Sequence, residues 1–188
     1  TPVTFSGVKT LTGPGTGNRP GGKPEPPENQ GLLKSGNLVV GRFEVVAVLG
    51  QGGMGQVFKV RDTTLDTLRA MKVIRPELLR RSDVVERFRE EVRICQKLSH
   101  PNIVHVYEYD MDRGRSLHFF TMEYVDGLTL RDWLKQKKAQ NNPVSVEEFR
   151  RIARETLLAL VHAHEVTIHR DLKPENIILE GKTGKAKL

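Results

Sequence analysis

The sequence predicts an α+β fold. Strand-like segments with a single helix among them come first, and helices followed by a loop and short strands come after. A second observation supports it: the glycine cluster Gly50 to Gly55 separates two β-branched apolar runs, the pattern of strand, tight turn and strand. A third is capacity, since 188 residues at 37% hydrophobic content suffice for a real core, and there is no internal repeat.

Taken in order, residues 1–11 are unassigned. Thr12 to Gly31 is dense in Pro and Gly and nearly free of large apolar side chains, so it cannot offset its own ordering entropy. It reads as a flexible linker running to residue 40, with order beginning near Gly41. Phe43 to Leu49 and Val57 to Val60 are the first strands. Leu68 to Ile74 is a third, in which alternation places Leu68, Ala70, Lys72 and Ile74 on one face. Ser82 or Asp83 then opens a helix, with Glu86 placed to complete a capping box on Asp83. Strands around Ile103 to Tyr109 and Leu117 to Tyr124 flank the turn-like Asp112-Arg113-Gly114. A short helix spans Leu130 to Lys137. A longer one starts at Ser145, capped by Glu148, with the stripe Phe149, Ile152, Ala153, Thr156, Leu160 and Ala163.

Composition narrows the partners. The net charge is +7, but the basic residues stand singly among acids, as in Arg87, Arg89 and Arg93 beside Glu86 and Glu90. That is a solvated helix face, and no nucleic-acid partner is expected. Cys95 is the only cysteine, so no intrachain disulfide can form, in keeping with a reducing compartment. No apolar run approaches the roughly 18 residues that cross a bilayer. A cytoplasmic location is expected, with membrane attachment outside these residues left open.

Three features carry chemistry. In His169-Arg170-Asp171-Leu172-Lys173-Pro174-Glu175-Asn176, a carboxylate, an ammonium and an amide share a loop stiffened by proline. The carboxylate of Asp171 can accept a hydroxyl's proton, Lys173 can neutralise a moving phosphate, and Asn176 can hold a metal ion. The glycine cluster, G-x-G-x-x-G-x-V, suits phosphate binding or an ordinary hairpin turn. A dinucleotide fingerprint needs a helix next, whereas a strand-like run follows. Lys72 is costly to bury unless paired, or else it snorkels from an edge. In the next helix, Val84, Phe88, Val92, Cys95 and Leu98 form one apolar stripe, and Glu91 lies in phase with it while Glu90 does not. An inward carboxylate asks for a cation, and Lys72 is the economical partner.

From Gly41 to Leu188 the sequence resembles the first half of a eukaryotic-like (Hanks-type) Ser/Thr protein kinase domain, particularly its bacterial members. The matching pieces are GQGGMGQVF, RAMKVI, FREEV, HPNIV, FTMEYVDG and IHRDLKPENIIL. The resemblance implies a bilobal fold, with a complete five-stranded N-lobe and hinge over 41–125 and part of a helical C-lobe over 126–188. It implies ATP and Mg²⁺ as cofactors and phosphoryl transfer to Ser/Thr hydroxyls of proteins. Gly50, Gly52, Gly53 and Gly55, with Leu49, would cover the nucleotide, and Lys72 paired to Glu91 would grip its phosphates. Val57, Ala70 and Ile178 would sandwich the adenine. Met122 would be the gatekeeper, with Glu123 and Val125 as the hinge. Asp171 would be the base, Lys173 would reach the γ-phosphate, and Asn176 would hold Mg²⁺. Cys95 and His169 would belong to a buried hydrophobic column, and Arg170 would bind an activating phosphate.

Two departures stand out. The connection Glu165-Val166-Thr167-Ile168 is one residue shorter than the family usually shows and lacks its glycine. The sequence also stops at Leu188, where the family continues into D-F-G and its metal-binding Asp. The chain alone is therefore expected to expose apolar faces and to show no phosphotransfer. The alternative implied by that missing Asp is a pseudokinase, a nucleotide-binding or scaffolding module. A small-molecule phosphotransferase is disfavoured by Arg170 and Lys173-Pro174-Glu175.

Overall fold

A computed structural model describes residues 9–10, 32–53, 55–80, 82–167 and 171–188. Two short strands, β1 (Lys9–Thr10) and β2 (Leu38–Val39), lie antiparallel on the edge of β3 (Phe43–Gln51). The sheet continues through β4 (Gly55–Asp62) and β5 (Thr67–Ile74). Helix α1 (Ser82–Gln96) then carries the chain to the far edge, where β6 (Val106–Asp112) forms. A turn returns β7 (Leu117–Glu123) into the gap beside β5, giving the order β1-β3-β4-β5-β7-β6. The five expected strands are all present.

Alternation divides the sheet chemically. The register places Val57 opposite Lys72, Lys72 opposite Phe120 and Ala70 opposite Met122, so these side chains share one face. Phe58, Met71, Val73 and Phe119 point the other way and form a core with Phe43, Val45 and Val60. Helix α1 lays Phe88, Val92 and Cys95 against Ile74, Val106 and Phe120. It starts at Ser82, so Asp83 sits inside the first turn and accepts from Arg87 Nη2 at 2.8 Å, away from the expected cap position.

The expected linker is too long at its end. Leu33 and Val39 are buried on the outer core, so the segment from Leu32 belongs to the folded part. Asn37 and Gly36 pair with Val45, and the main-chain N–H of Leu32 donates to Gln56 Oε1 at 2.9 Å. Val40 and Gly41 both take positive φ, 45° and 68°, which turns β2 tightly into β3. Two apolar residues suffice here because the sheet supplies the rest of the surface. Thr12 to Gly31 lies outside the described residues.

Asp62 ties the strands together. Its wholly buried carboxylate accepts from Arg42 Nη2 at 2.7 Å and pairs with Arg69 Nη2 at 2.9 Å. Both arginines also reach Glu108, so β4, β5, β6 and the start of β3 share one charge network.

The second half begins with β8 (Gly127–Thr129), which pairs with β9 (Ile178–Glu180); β10 (Ala186–Lys187) completes this small sheet. Gly127 is required, because a Cβ there would lie 2.0 Å from the Leu179 carbonyl oxygen. Thr129 caps α2 (Leu130–Ala139), and the expected Ser145–Glu148 capping box opens α3 (Val146–His164). Helix α3 buries Ile152, Thr156, Ala159 and Ala163. Phe149, expected on the same stripe, is 67% exposed, because its first-turn position projects past the β9–β10 core that covers Ile152. Helix α3 winds down through Glu165 in a right-handed conformation, with the Thr167 N–H bonded to Ala163 C=O, so the missing glycine is not needed. Leu98 and Ile103 meet Ala159 and Ala163, which joins the two halves.

The side-chain hydrogen bond from Arg42 holds the Asp62 carboxyl below the ordinary carboxylate range. Its stabilisation is therefore present above the unfolded-state value near pH 4 and lost as pH falls through the lower folded value. Asp62→Ala should cost about 3–5 kcal/mol in urea unfolding at pH 7, since the buried Arg69 and the half-buried Arg42 lose the carboxylate they share and keep only the more exposed Glu108. The variant should also show a flatter acid limb than the unaltered chain.

Candidate active site

Between the sheet and the second half lies a cleft of about 270 Å³. Its walls follow from the alternation described above. Leu49, Val57 and Ala70 come from β3, β4 and β5; Phe120 and Met122 come from β7; Ile178 faces them from β9. Glu123, Tyr124 and Val125 close one side where the chain passes from β7 towards β8. The walls are mostly apolar, with a few polar groups, among them Lys72, Glu123 and Asn176, as a site for a small organic ligand requires.

Gly52 N–H bonds to Gly55 C=O at 2.9 Å, closing the hairpin between β3 and β4. A Cβ on Gly55 would stand 2.0 Å from the Val73 carbonyl oxygen, so β4 can pack on β5 there only as glycine. Gly50 pairs with Val57 at the turn's base. Gly53 has open space around its α-carbon.

Lys72 lines the cleft and is 7% exposed; Glu91 on α1 is 5% exposed. Glu90 is exposed, so the helical period selects the inward carboxylate correctly. Burial raises the Glu91 carboxyl above its ordinary value, and the charge of Lys72 pulls it back. Among the described residues, Oε1 of Glu91 has no hydrogen-bond partner. The Lys72 ammonium also sits 5.7 Å from the Phe120 ring centre.

The loop after α3 brings its three chemical groups together. Lys173 Nζ bonds both carboxylate oxygens of Asp171, at 2.9 and 2.7 Å. Asn176 Nδ2 donates to the Asp171 carbonyl at 2.8 Å and to its carboxylate at 3.1 Å. With the amide nitrogen turned to Asp171, the amide oxygen faces the other way, and Asn176 lines the cleft. A short 3₁₀ turn, Pro174–Asn176, sets this geometry, and Arg131 on α2 anchors it through Glu175 at 2.5 Å. The expectations for His169 and Arg170 fall outside the described residues.

Nine of the expected nucleotide and metal contacts line the cleft: Leu49, Val57, Ala70, Lys72, Met122, Glu123, Val125, Asn176 and Ile178. Glu91, Asp171, Lys173 and the four glycines are not among the residues that line it. Sequence reasoning missed Tyr124, whose hydroxyl accepts from Lys59 Nζ at 3.2 Å, although it stands between two residues assigned to the hinge. It also missed the ion pair between Glu123 and Lys187, which no local pattern announces. Among the described residues, no group of three or more His, Cys, Asp or Glu side chains is placed to hold a metal ion. His162 and His164 lie in the last turn of α3, and His162 stacks on His100.

The protein kinase domain family model matches residues 43–188. The Bacillus subtilis Ser/Thr protein kinase PrkC is 34% identical over 146 residues, covering 77% of this chain and 22% of that protein. The Myxococcus xanthus Ser/Thr protein kinase pkn3 is 38% identical over 146 residues, covering 77% and 26%. Among solved structures, the PknI kinase domain of M. tuberculosis superposes with a TM-score of 0.66 at 30% identity, covering 83% of this chain and 60% of that one. The chain belongs to the protein kinase family, and its fold is part of the bilobal kinase fold. It spans about a quarter or less of the length of the curated relatives it matches.

Cys95 is buried against Phe88 and Val92, and burial pushes its thiol up to about 12. Native protein at pH 8 should therefore resist a thiol reagent for hours, while the same protein in urea reacts fully. Rapid native labelling would show that α1 does not hold Cys95 inside.

Proposed function

We propose that the protein containing this chain transfers the terminal phosphoryl group of ATP to Ser or Thr hydroxyls of proteins. The observation that carries this reading is the joint arrangement of Asp171, Lys173 and Asn176 at the mouth of an apolar cleft that also holds a buried lysine. Protein kinases as a family use ATP and a divalent metal ion, and the groups present suit both. The apolar walls fit an adenine, the glycine hairpin permits close approach of backbone to phosphate, and the Asn176 amide oxygen is a hard donor for Mg²⁺. The metal, when bound, would neutralise charge on the phosphates.

This chain's own residues do the rest. Asp171 accepts the proton of the incoming hydroxyl, and its hydrogen bonds to Lys173 and Asn176 fix the carboxylate's direction. Lys173, held on Asp171 before reaction, supplies positive charge where the phosphoryl group moves. Lys72 holds the nucleotide's phosphates from within the cleft, and Glu91 holds Lys72. The backbone of Glu123 and Val125 reads the adenine edge, and Val57, Ala70 and Ile178 clamp its faces. The two working regions are 32–125, the N-lobe with its hinge, and 126–188, part of the C-lobe. Retention of Asp171 and Asn176 favours catalysis over a scaffolding role. The expected setting is the cytoplasm; among the described residues no helix is long and apolar enough to cross a membrane.

Asp171→Asn in the complete protein should lower transfer of labelled phosphate to a Ser/Thr substrate by roughly a thousandfold or more, while ATP affinity stays within about twofold. An Asn variant that still phosphorylates would remove Asp171 from the chemistry.

A further inference from the structure

We infer that Lys187 is a positioning residue for the nucleotide cleft, acting through Glu123; this rests on the kinase reading. Lys187 Nζ lies 2.6 and 2.8 Å from the two carboxylate oxygens of Glu123, a fork in which neither side chain is well exposed (13% and 28%). Oε2 of the same carboxylate also accepts the His105 N–H at 3.3 Å, and the Glu123 N–H donates to His105 C=O at 2.8 Å. Glu123 is thus gripped at its main chain and at its side chain.

The grip has a geometric purpose. Glu123 is the last residue of β7, and the next two, Tyr124 and Val125, line the cleft before the chain enters β8. Lys187 belongs to β10, in the other half of the molecule. Around it, the Leu188 N–H bonds to Asn102 C=O, the Val104 N–H to Leu188 C=O, and Asn102 Nδ2 to Ala186 C=O. The segment 102–105, the end of β7 and β10 therefore meet at one junction, and the Glu123–Lys187 pair is its charged fastener. Pulling the Glu123 side chain towards β10 fixes the direction of the following peptide groups, which the kinase reading assigns to the adenine edge.

Charge adds a second effect. The Glu123 carboxylate stands beside a cleft that would receive a polyanion, so left unmatched it would oppose binding. Lys187 cancels it at contact distance. Partial burial makes this pair stronger than an exposed ion pair, whose charges water largely screens. Removing Lys187 alone strands the carboxylate, whereas removing both charges should be milder.

The test uses the complete protein as Lys187→Met, Lys187→Arg, Glu123→Gln and the double variant Glu123→Gln/Lys187→Met. Measured for each are KM for ATP, kcat, the melting temperature and amide exchange along the chain. Lys187→Met should raise KM for ATP roughly five- to tenfold with kcat within about twofold, as loss of ground-state positioning requires. Exchange should quicken in segments 103–106 and 123–125 and not elsewhere. Lys187→Arg should retain most of the affinity, and the double variant should bind ATP no worse than Lys187→Met. Unchanged KM and exchange in Lys187→Met, with ATP turned over normally by the unaltered protein, would overturn the inference and leave the kinase reading intact. A uniform rise in exchange with a falling melting temperature, and KM and kcat worsening together, would also overturn it, by making the pair merely structural. An unaltered protein that takes up no ATP would remove the kinase reading, and this inference with it.

Discussion

Two opposite charges buried in one apolar wall are the constraint on which the rest of this molecule depends. Taking an ammonium and a carboxylate out of water costs several kcal/mol each after relaxation, and an apolar pair of similar volume would pack there more cheaply. The protein nevertheless places Lys72 on the cleft face of β5 and Glu91 on the inward stripe of α1. Everything nearby serves to hold them there. Phe88, Val92 and Cys95 seat α1 on the sheet, and the register of β4, β5 and β7 aims Lys72 into the cleft. The Glu91 carboxyl is left with an oxygen that none of the described residues satisfies. On the proposed function, this cost is retained because the phosphates of the nucleotide need the charge.

The cleft exists because two half-molecules of different architecture meet along it. The sheet contributes alternating apolar residues, and the second half contributes β9 and the short turn that aims Asn176. Leu98 and Ile103 packed on Ala159 and Ala163 provide the apolar joint, and Asn102 bonded to Ala186 provides the polar one. Bringing the Asp171 loop to the cleft mouth is a consequence of this joint, since α3 and β9 lead into and out of the loop. The Asp62 network acts at a distance from the cleft but on the same strands, keeping β4 and β5 in register where Val57 and Lys72 stand side by side.

Much of the site was legible in the sequence because its signals are local. The helical period alone chose Glu91 over Glu90, and Ser145 with Glu148 announced the start of α3 three residues apart. The offsets from Asp171 to Asn176 fit inside one loop, which is why the three groups could be picked out together, whereas the hydrogen bonds among them came only with the structure. What escaped notice depends on partners far along the chain. Leu33 and Val39 sit beside a Pro- and Gly-rich run and look unstructured until Phe43, Phe58 and Phe119 supply a surface for them. Phe149 satisfied the stripe of α3, but a stripe does not say how far the covering element reaches. Glu123 and Lys187 are 64 residues apart, and neither lies in a pattern that selects the other. The burial of Glu91 was legible, while its degree of hydrogen-bond satisfaction was not.

The most direct measurement is a double-mutant cycle on ATP affinity with Lys72→Met, Glu91→Gln and the double variant in the complete protein. If Lys72 and Glu91 act as one unit for the nucleotide, each single change should weaken ATP binding, and the double variant should be little worse than Lys72→Met. The coupling should then be about 1.4 kcal/mol or more, a factor of ten in affinity. Strictly additive losses, or an ATP affinity that ignores Lys72, would contradict the central role of the buried pair.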